Sequence, residues 1–283
     1  SAKSDLLKAT CHGPVAMDCP PLADTERTSL RCAIMAETKF SCPVVVISMT
    51  NARDRRTAFS ARAQSAQVPW RFFDARTDLT EGLVLDAKAV ERNKGRPLTS
   101  GEIGCYVSHF SIWQEMVERG IAQCIVLEDD TIVDWAFLAQ LAATDLAARD
   151  LPYLRLYSKR PTYSRVVAKD FLQRSRTIVE LVGYPFGTQA YAITLGGAQA
   201  FLRACATIKR PIDDQMDRSW EHGVRNLALF PAPVIEEFVE SGIGSARYGT
   251  QRSEVFHAPS QRLARWVDRQ RIRMKKLGVP RGG

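Results

Sequence analysis

Glu128, Asp129 and Asp130 stand in a row directly after the apolar run CIVL (124–127). Three adjacent carboxylates repel one another. A divalent cation held by oxygen ligands removes that cost and ties the site to a phosphate-bearing ligand. The competing reading is a solvated acidic turn in which one residue caps the next helix. The cysteines offer less chemistry. Cys11, Cys19, Cys32 and Cys42 contain no CxxC pair, which argues against a zinc site at the N-terminus. Cys105, Cys124 and Cys205 lie in apolar segments, as reduced core thiols do. A reducing cytoplasm is the expected compartment.

The elements that must position these residues follow from the hydrophobic periodicity. PVVVISM (43–49) is a buried strand by its β-branched run, followed by a polar turn and a helix over about 57–67. WRFFDAR (70–76) is a second strand. Residues 98–120 form a helix with explicit ends: Thr99 and Glu102 have capping-box spacing, and Gly120 is the stop. A short buried strand over 124–127 then delivers the acidic triplet. A helix over 135–149, a strand at LPYLRLYS, a hairpin or two neighbouring strands over 176–194, a helix over 197–207 and an extended segment over 226–238 complete the pattern. Strands alternating with helices predict an α/β sandwich with a mostly parallel central sheet, whose ligands bind beyond the carboxyl ends of the strands.

The chain has 283 residues, 45% hydrophobic and 25% charged. That composition excludes a disordered, collagen-like or disulfide-stapled chain. No apolar run reaches the ~18 residues of a membrane span. The net charge of +8 is concentrated in residues 261–283, where eight Lys and Arg stand against Asp268. Three regions are expected: a loosely packed extension over 1–41, a catalytic domain over 42–260 and a basic amphipathic tail over 261–283. In the tail, Leu263, Trp266, Val267 and Met274 fall near one side of a helix, with Arg262, Arg265, Arg269 and Lys276 toward others. Such a helix either lies on an anionic membrane surface or packs on the catalytic domain with its charges solvated. One aromatic in 23 residues argues against nucleic-acid binding.

The segments VVVISMTNARDRR, LTSGEIGCYVSHFSIWQ, IVLEDD, GTQAYAIT with the following GGAQAFL, PIDDQ and FPAPVIEE…SGIGS, between about Val44 and Gly244, resemble glycosyltransferase family 25. This is the lipopolysaccharide or lipooligosaccharide galactosyltransferase group with collagen galactosyltransferase relatives. The resemblance implies a GT-A fold, a UDP-sugar donor, inversion at the anomeric carbon and a glycan or lipid-linked glycan acceptor. By the same resemblance Asp130 is the ligand of a manganese or magnesium ion, with Glu128 or Asp129 reaching the ribose or a metal-bound water. His257 is the further ligand in the place where many such enzymes use a C-terminal histidine.

Ser48, Thr50, Arg53, Arg55, Arg56 and Asp74 would cradle the nucleotide, the arginines offering forked donors to phosphate or uracil oxygens. Where the family usually has Asn-Leu, this chain has Ser48-Met49. Gly187, Thr188 and Gln189 would line the sugar or acceptor pocket. Tyr191 is either next in line or core. The glycines of GEIGCYVSH would let a helix start approach a ligand, and His109 reads as a buried, hydrogen-bonded residue ahead of a catalytic one. An inverting transfer needs one carboxylate to take the acceptor proton. Asp213 is the choice, with Asp214 beside it, and an N-cap pair is the alternative. A non-catalytic glycan- or partner-binding member and a metal-dependent nucleotidyltransferase are the competing functions. The expected location is the cytoplasm, peripheral on the inner face of the membrane.

Overall fold

The computed structural model describes residues 42–237 and 259–277. The extension over 1–41 therefore lies outside the described residues, as does His257.

An eight-stranded sheet runs in the order β2 (Trp70–Asp74), β1 (Val44–Ser48), β4 (Gln123–Glu128), β9 (Ala190–Thr194), β6 (Tyr153–Arg155), β11 (Leu227–Phe230), β8 (Thr177–Val182), β7 (Tyr163–Ala168). β1 pairs in parallel with β2 and β4, and β6 with β11. Only β9 and β8 oppose the common direction. The expected mostly parallel sheet is present, but 176–194 is no hairpin: β6 and β11 separate β8 from β9. Two ribbons, β3 (Val84–Leu85) with β10 (Thr207–Ile208) and β5 (Thr131–Val133) with β12 (Val234–Glu236), flank the sheet.

The central strands are buried on both faces, so they read as unbroken apolar runs rather than alternating ones. Val44 and Val46 of β1, Ile125 and Leu127 of β4 and Ala192 of β9 face one core, with Phe59 of α1 (Arg53–Arg62) and Trp135, Phe137 and Leu138 of α4 (Trp135–Ala142). Val45, Ile47, Val126, Tyr191 and Ile193 face the other. That core is filled by Phe110, Trp113 and Met116 of α3 (Ser100–Glu118) and Phe201 of α5 (Leu195–Cys205). Three layers result, with helices on both faces.

Local chemistry sets the element ends. The Thr99 hydroxyl accepts the Glu102 N–H and the Glu102 carboxylate accepts the Thr99 N–H, the expected capping box. Gly120 follows the helix with φ 63°. Thr194 caps α5 through the Gly197 N–H at 3.2 Å. α1 begins four residues before the expected 57, which places Arg53, Arg55 and Arg56 on a helix rather than in a turn. α4 stops at Ala142, well short of 149, and 226–238 divides into β11 and β12. α2 (Ala87–Lys94), α6 (Ile212–Met216), α7 (Ser219–His222) and α8 (Pro259–Lys276) complete the fold. No described helix is long and apolar enough to cross a membrane.

α8 docks on the sheet domain by its polar side. Arg218 donates to Asp268 at 2.8 Å, while Lys275 donates to Ser219 at 2.7 Å and lies 3.3 Å from Glu180. Leu263, Trp266, Met274 and Leu277 remain exposed. Of the two alternatives for the tail, the structure shows the packing on the domain, with Leu263, Trp266 and Met274 facing solvent and Val267 half-buried.

Candidate active site

Because β1, β2 and β4 are parallel neighbours, their carboxyl ends share one edge, where Ser48, Asp74 and Glu128 stand. β9 runs the other way and starts at that edge, so Thr188 and Gln189 arrive beside Glu128. The β5–β12 ribbon pairs Glu236 with Thr131 and adds it to the same place.

The three acids of the triplet have three different surroundings. Asp129 is buried and paired: Ser48 donates to it at 2.6 Å and Arg55 pairs with it, though burial still raises its carboxyl above the ordinary value. Its backbone carbonyl accepts from Arg62 at 3.1 Å. Glu128 takes a hydrogen bond from the Thr188 hydroxyl and lies 3.6 Å from Nε2 of His109. Burial pushes its carboxyl up, but His109 and Thr188 prevail and hold it below its ordinary value. Asp130 sits 3.4 Å from Arg55, yet its Oδ1 is buried with no hydrogen-bond partner. Burial first, then the charges of Glu128, Asp129 and Glu236, push its carboxyl up to about 7. An orphaned, buried carboxylate oxygen among other acids fits an oxygen-ligated divalent cation. The buried Oε1 of Gln189 is likewise without a partner.

The residues expected to cradle a nucleotide divide into two groups. Arg56 pairs with Asp74 and also donates to the Ser48 carbonyl at 3.0 Å, so these three form one unit at the ends of β1 and β2. The bond from Arg56 holds Asp74 below the usual carboxylate range. Thr50 and Arg53 are exposed next to it. Ser48 itself is buried against Asp129.

Gly187 has φ 85°, and a Cβ there would meet Gln189 Oε1 at 2.6 Å and a Tyr157 ring carbon at 2.8 Å. That is a turn only glycine fits. It is held from behind by the fully buried Arg155, which donates to the Gly187 carbonyl at 2.7 Å and pairs with buried Asp217. Asp217 in turn accepts the Phe186 N–H at 2.9 Å, and burial pushes its carboxyl up to about 7 against the pull of Arg155.

In PIDDQ, Pro211 occupies the N-cap of α6, so Asp213 and Asp214 lie in the first turn and are not a capping pair. Asp214 is held between Arg218 at 3.3 Å and Arg210 at 3.9 Å. Burial raises its carboxyl above the ordinary value, with those arginines pulling it down. Asp213 is half-buried, and its Oδ1 accepts the Asp214 N–H at 2.8 Å.

In GEIGCYVSH, a Cβ on Gly104 would come 2.9 Å from the Arg76 carbonyl, and Ser108 accepts the Arg76 N–H at 2.8 Å. The glycine therefore lets the loop after β2 approach the helix. Cys105 is half-buried, not core, and lies 3.8 Å from the Thr188 hydroxyl. His109 is buried as expected, with Nδ1 2.9 Å from the Tyr191 hydroxyl, which also accepts from Trp113. Tyr191 is thus core.

Sequence reasoning assigned no role to Tyr157, Glu236, Arg155 or Asp217. Tyr157 donates to Glu236, and Lys159 lies 3.4 Å from the same carboxylate. Glu236 belongs to FPAPVIEE, a segment that had already marked the resemblance.

Residues 42–216 match the model of Glycosyltransferase family 25 (LPS biosynthesis protein). The human inactive glycosyltransferase 25 family member 3 is 29% identical over 273 residues, covering 84% of this chain and 43% of the relative. Procollagen galactosyltransferase 1 of Danio rerio is 29% identical over 186 residues, covering 60% of this chain and 30% of the relative. The chain spans less than half the length of these relatives. Among solved structures, a glycosyltransferase involved in glycosylation of the major capsid of PBCV-1 aligns over 58% of this chain and 65% of its own, at a TM-score of 0.30 and 10% identity. That likeness is too distant to bear on the fold. The family match runs from two residues before β1 through both acidic segments to the end of α6, and on that extent the chain belongs to glycosyltransferase family 25.

Proposed function

We propose that this chain moves a hexose, galactose favoured, from a UDP-sugar to a lipopolysaccharide or other glycan acceptor, with inversion at the anomeric carbon. The observation that carries this reading is the orphaned Oδ1 of Asp130, buried at the sheet edge among Glu128, Asp129 and Glu236. Asp130, with Glu128 behind it, would hold a manganese or magnesium ion. When bound, such an ion offsets charge on the leaving nucleoside diphosphate. Thr50, Arg53, Arg56 and Asp74 line the nucleotide side, and Gly187 to Gln189 line the sugar side.

Asp213 takes the acceptor proton as the hydroxyl oxygen attacks. Its partner Asp214 is committed to Arg210 and Arg218, whereas Asp213 keeps a half-exposed carboxylate. The human relative, an inactive glycosyltransferase 25 family member, favours a second reading, a member that binds donor or glycan without turnover.

The test is donor turnover in manganese for the wild type and Asp130→Asn. Turnover abolished in a folded Asp130→Asn is expected. Near-wild-type turnover in that variant, or full turnover in chelator, would exclude this metal assignment. Donor binding without any turnover by the wild type would favour the non-catalytic member.

A further inference from the structure

Cys105 and His109 lie four residues apart on α3, one turn and so one face. The same spacing lets two helical side chains share a metal ion. Glu128 reaches them from the end of β4. The sulfur, a ring nitrogen and a carboxylate oxygen all lie within 4.8 Å of one another, the group of His, Cys, Asp and Glu among the described residues that converges this closely. His109 Nε2 and the Glu128 oxygen are 3.6 Å apart. Ligand bonds of ~2.0–2.3 Å around a tetrahedral ion give ligand-to-ligand edges of roughly 3.3–3.8 Å, so the histidine–carboxylate edge already fits and the sulfur would close in by about 1 Å at most.

The second observation is the histidine itself. His109 is fully buried, and its Nε2 makes no hydrogen bond of normal length, facing the Glu128 carboxylate at 3.6 Å. Its other nitrogen is fixed at 2.9 Å by the Tyr191 hydroxyl, which Trp113 also engages. A metal-binding histidine is oriented in this way through its second nitrogen.

We propose that Cys105, His109 and Glu128 form a zinc site with three protein ligands and a fourth position for water. A thiolate and an imidazole beside one carboxylate suit zinc, whereas manganese and magnesium take oxygen ligands. The His109 Nδ1–H then donates to Tyr191, leaving the Nε2 lone pair for the ion. Zinc there would fasten α3 to the end of β4, next to the oxygen-ligated position at Asp130, with Glu128 the neighbour common to both. The proposal does not depend on the donor chemistry above.

The test uses the metal-stripped full chain, titrated with zinc against a chromogenic chelator and, separately, with cobalt(II) as a spectroscopic probe. Zinc affinity should fall in Cys105→Ser by at least ~10-fold, the loss that even outer-shell changes around a metal produce. The cobalt-loaded wild type should show a thiolate-to-metal band that Cys105→Ser loses. His109→Gln should lose the binding too, with circular dichroism reporting whether it folds, and Asp130→Asn should keep both the zinc and the band. Comparing variants removes any contribution from Cys11, Cys19 or Cys32. Equal zinc affinity and identical cobalt spectra in wild type and Cys105→Ser would overturn the site, as would loss of the zinc in Asp130→Asn. Failure of the donor reading would instead appear in turnover alone.

Discussion

Arg155 and Asp217 face each other with almost no exposure to solvent, guanidinium against carboxylate, directly behind the turn that presents Thr188 and Gln189. Arg155 also donates to Asn226 at 2.9 Å, so the pair locks the end of β6, the 186–187 turn and the start of β11 together. Removing one charge leaves the other buried and unpaired, which costs ~3–5 kcal/mol. Arg155→Met should therefore destabilise by that amount in denaturant unfolding, and Arg155→Met with Asp217→Leu should be less destabilised than Arg155→Met alone. A double variant as unstable as the sum of the two single ones would mean the charges are not coupled.

Asp213 and Asp214 should separate kinetically. Asp213→Asn should lower the transfer rate ~100-fold to 10,000-fold with donor affinity little changed, as loss of a general base does. Asp214→Asn, which releases Arg210 and Arg218, should act mainly on stability. A larger rate effect at Asp214 would transfer the role there, and an equal loss of donor binding in Asp213→Asn would place Asp213 in the donor shell.

His222 should make the fold acid-sensitive. Its Nε2 is 3.1 Å from the Met216 carbonyl and its Nδ1 accepts the Val224 N–H, an arrangement that needs the neutral ring. Burial lowers its pKa from 6.5 to about 4. The folded state thus binds fewer protons than the unfolded one between those values. His222 stabilises fully above pH 6.5, and that contribution is lost as pH falls towards 4. The loss is at most ~3.5 kcal/mol, at about 1.4 kcal/mol per pH unit. Chemical denaturation across this range should show that slope in the wild type and a shallower one in His222→Gln. Parallel profiles would place the sensitivity elsewhere.

α8 carries a proposal about location. Asp268 and Lys275 turn one side of it to the domain, and Leu263, Trp266 and Met274 point away, with exposed Arg269, Arg271, Arg273 and Lys276 around them. An anionic membrane would receive such a face, each base being worth ~1 kcal/mol near the surface. The full chain should co-sediment with anionic but not neutral vesicles, less so in salt, and Trp266→Ser with Leu263→Ser should reduce this. Equal sedimentation of wild type and variant would remove the apolar stripe from the interaction.

Local signals in the sequence translated well into structure, and non-local ones did not. Thr99, Glu102 and Gly120 mark the ends of α3 because caps act within one turn. The β-branched run of β1 and the acids after β4 are likewise short-range patterns. The order of the sheet was not legible, because β8 and β9 are close in sequence yet pair with strands from elsewhere. The acidic triplet was visible as a cluster, but its division was not: only the fold brings Ser48 and Arg55 to Asp129 and leaves Asp130 Oδ1 unpartnered. Cys105 resembles a core thiol in sequence because its neighbours are apolar; its helix face decides otherwise.

β9 is inserted antiparallel between β4 and β6, and β11 joins β6 to β8. Both therefore serve as keystones that arrive late in the chain. The family match ends at residue 216, after β9 but before β11. A protein trimmed to that boundary would keep Glu128, Asp129 and Asp130 but lose Glu236, and would leave β6 and β8 each with a bare row of backbone donors and acceptors. Open edges of that kind recruit other chains. A unit that leaves none of these strands open therefore extends through β12 at Glu236, beyond the segment by which the family is recognised.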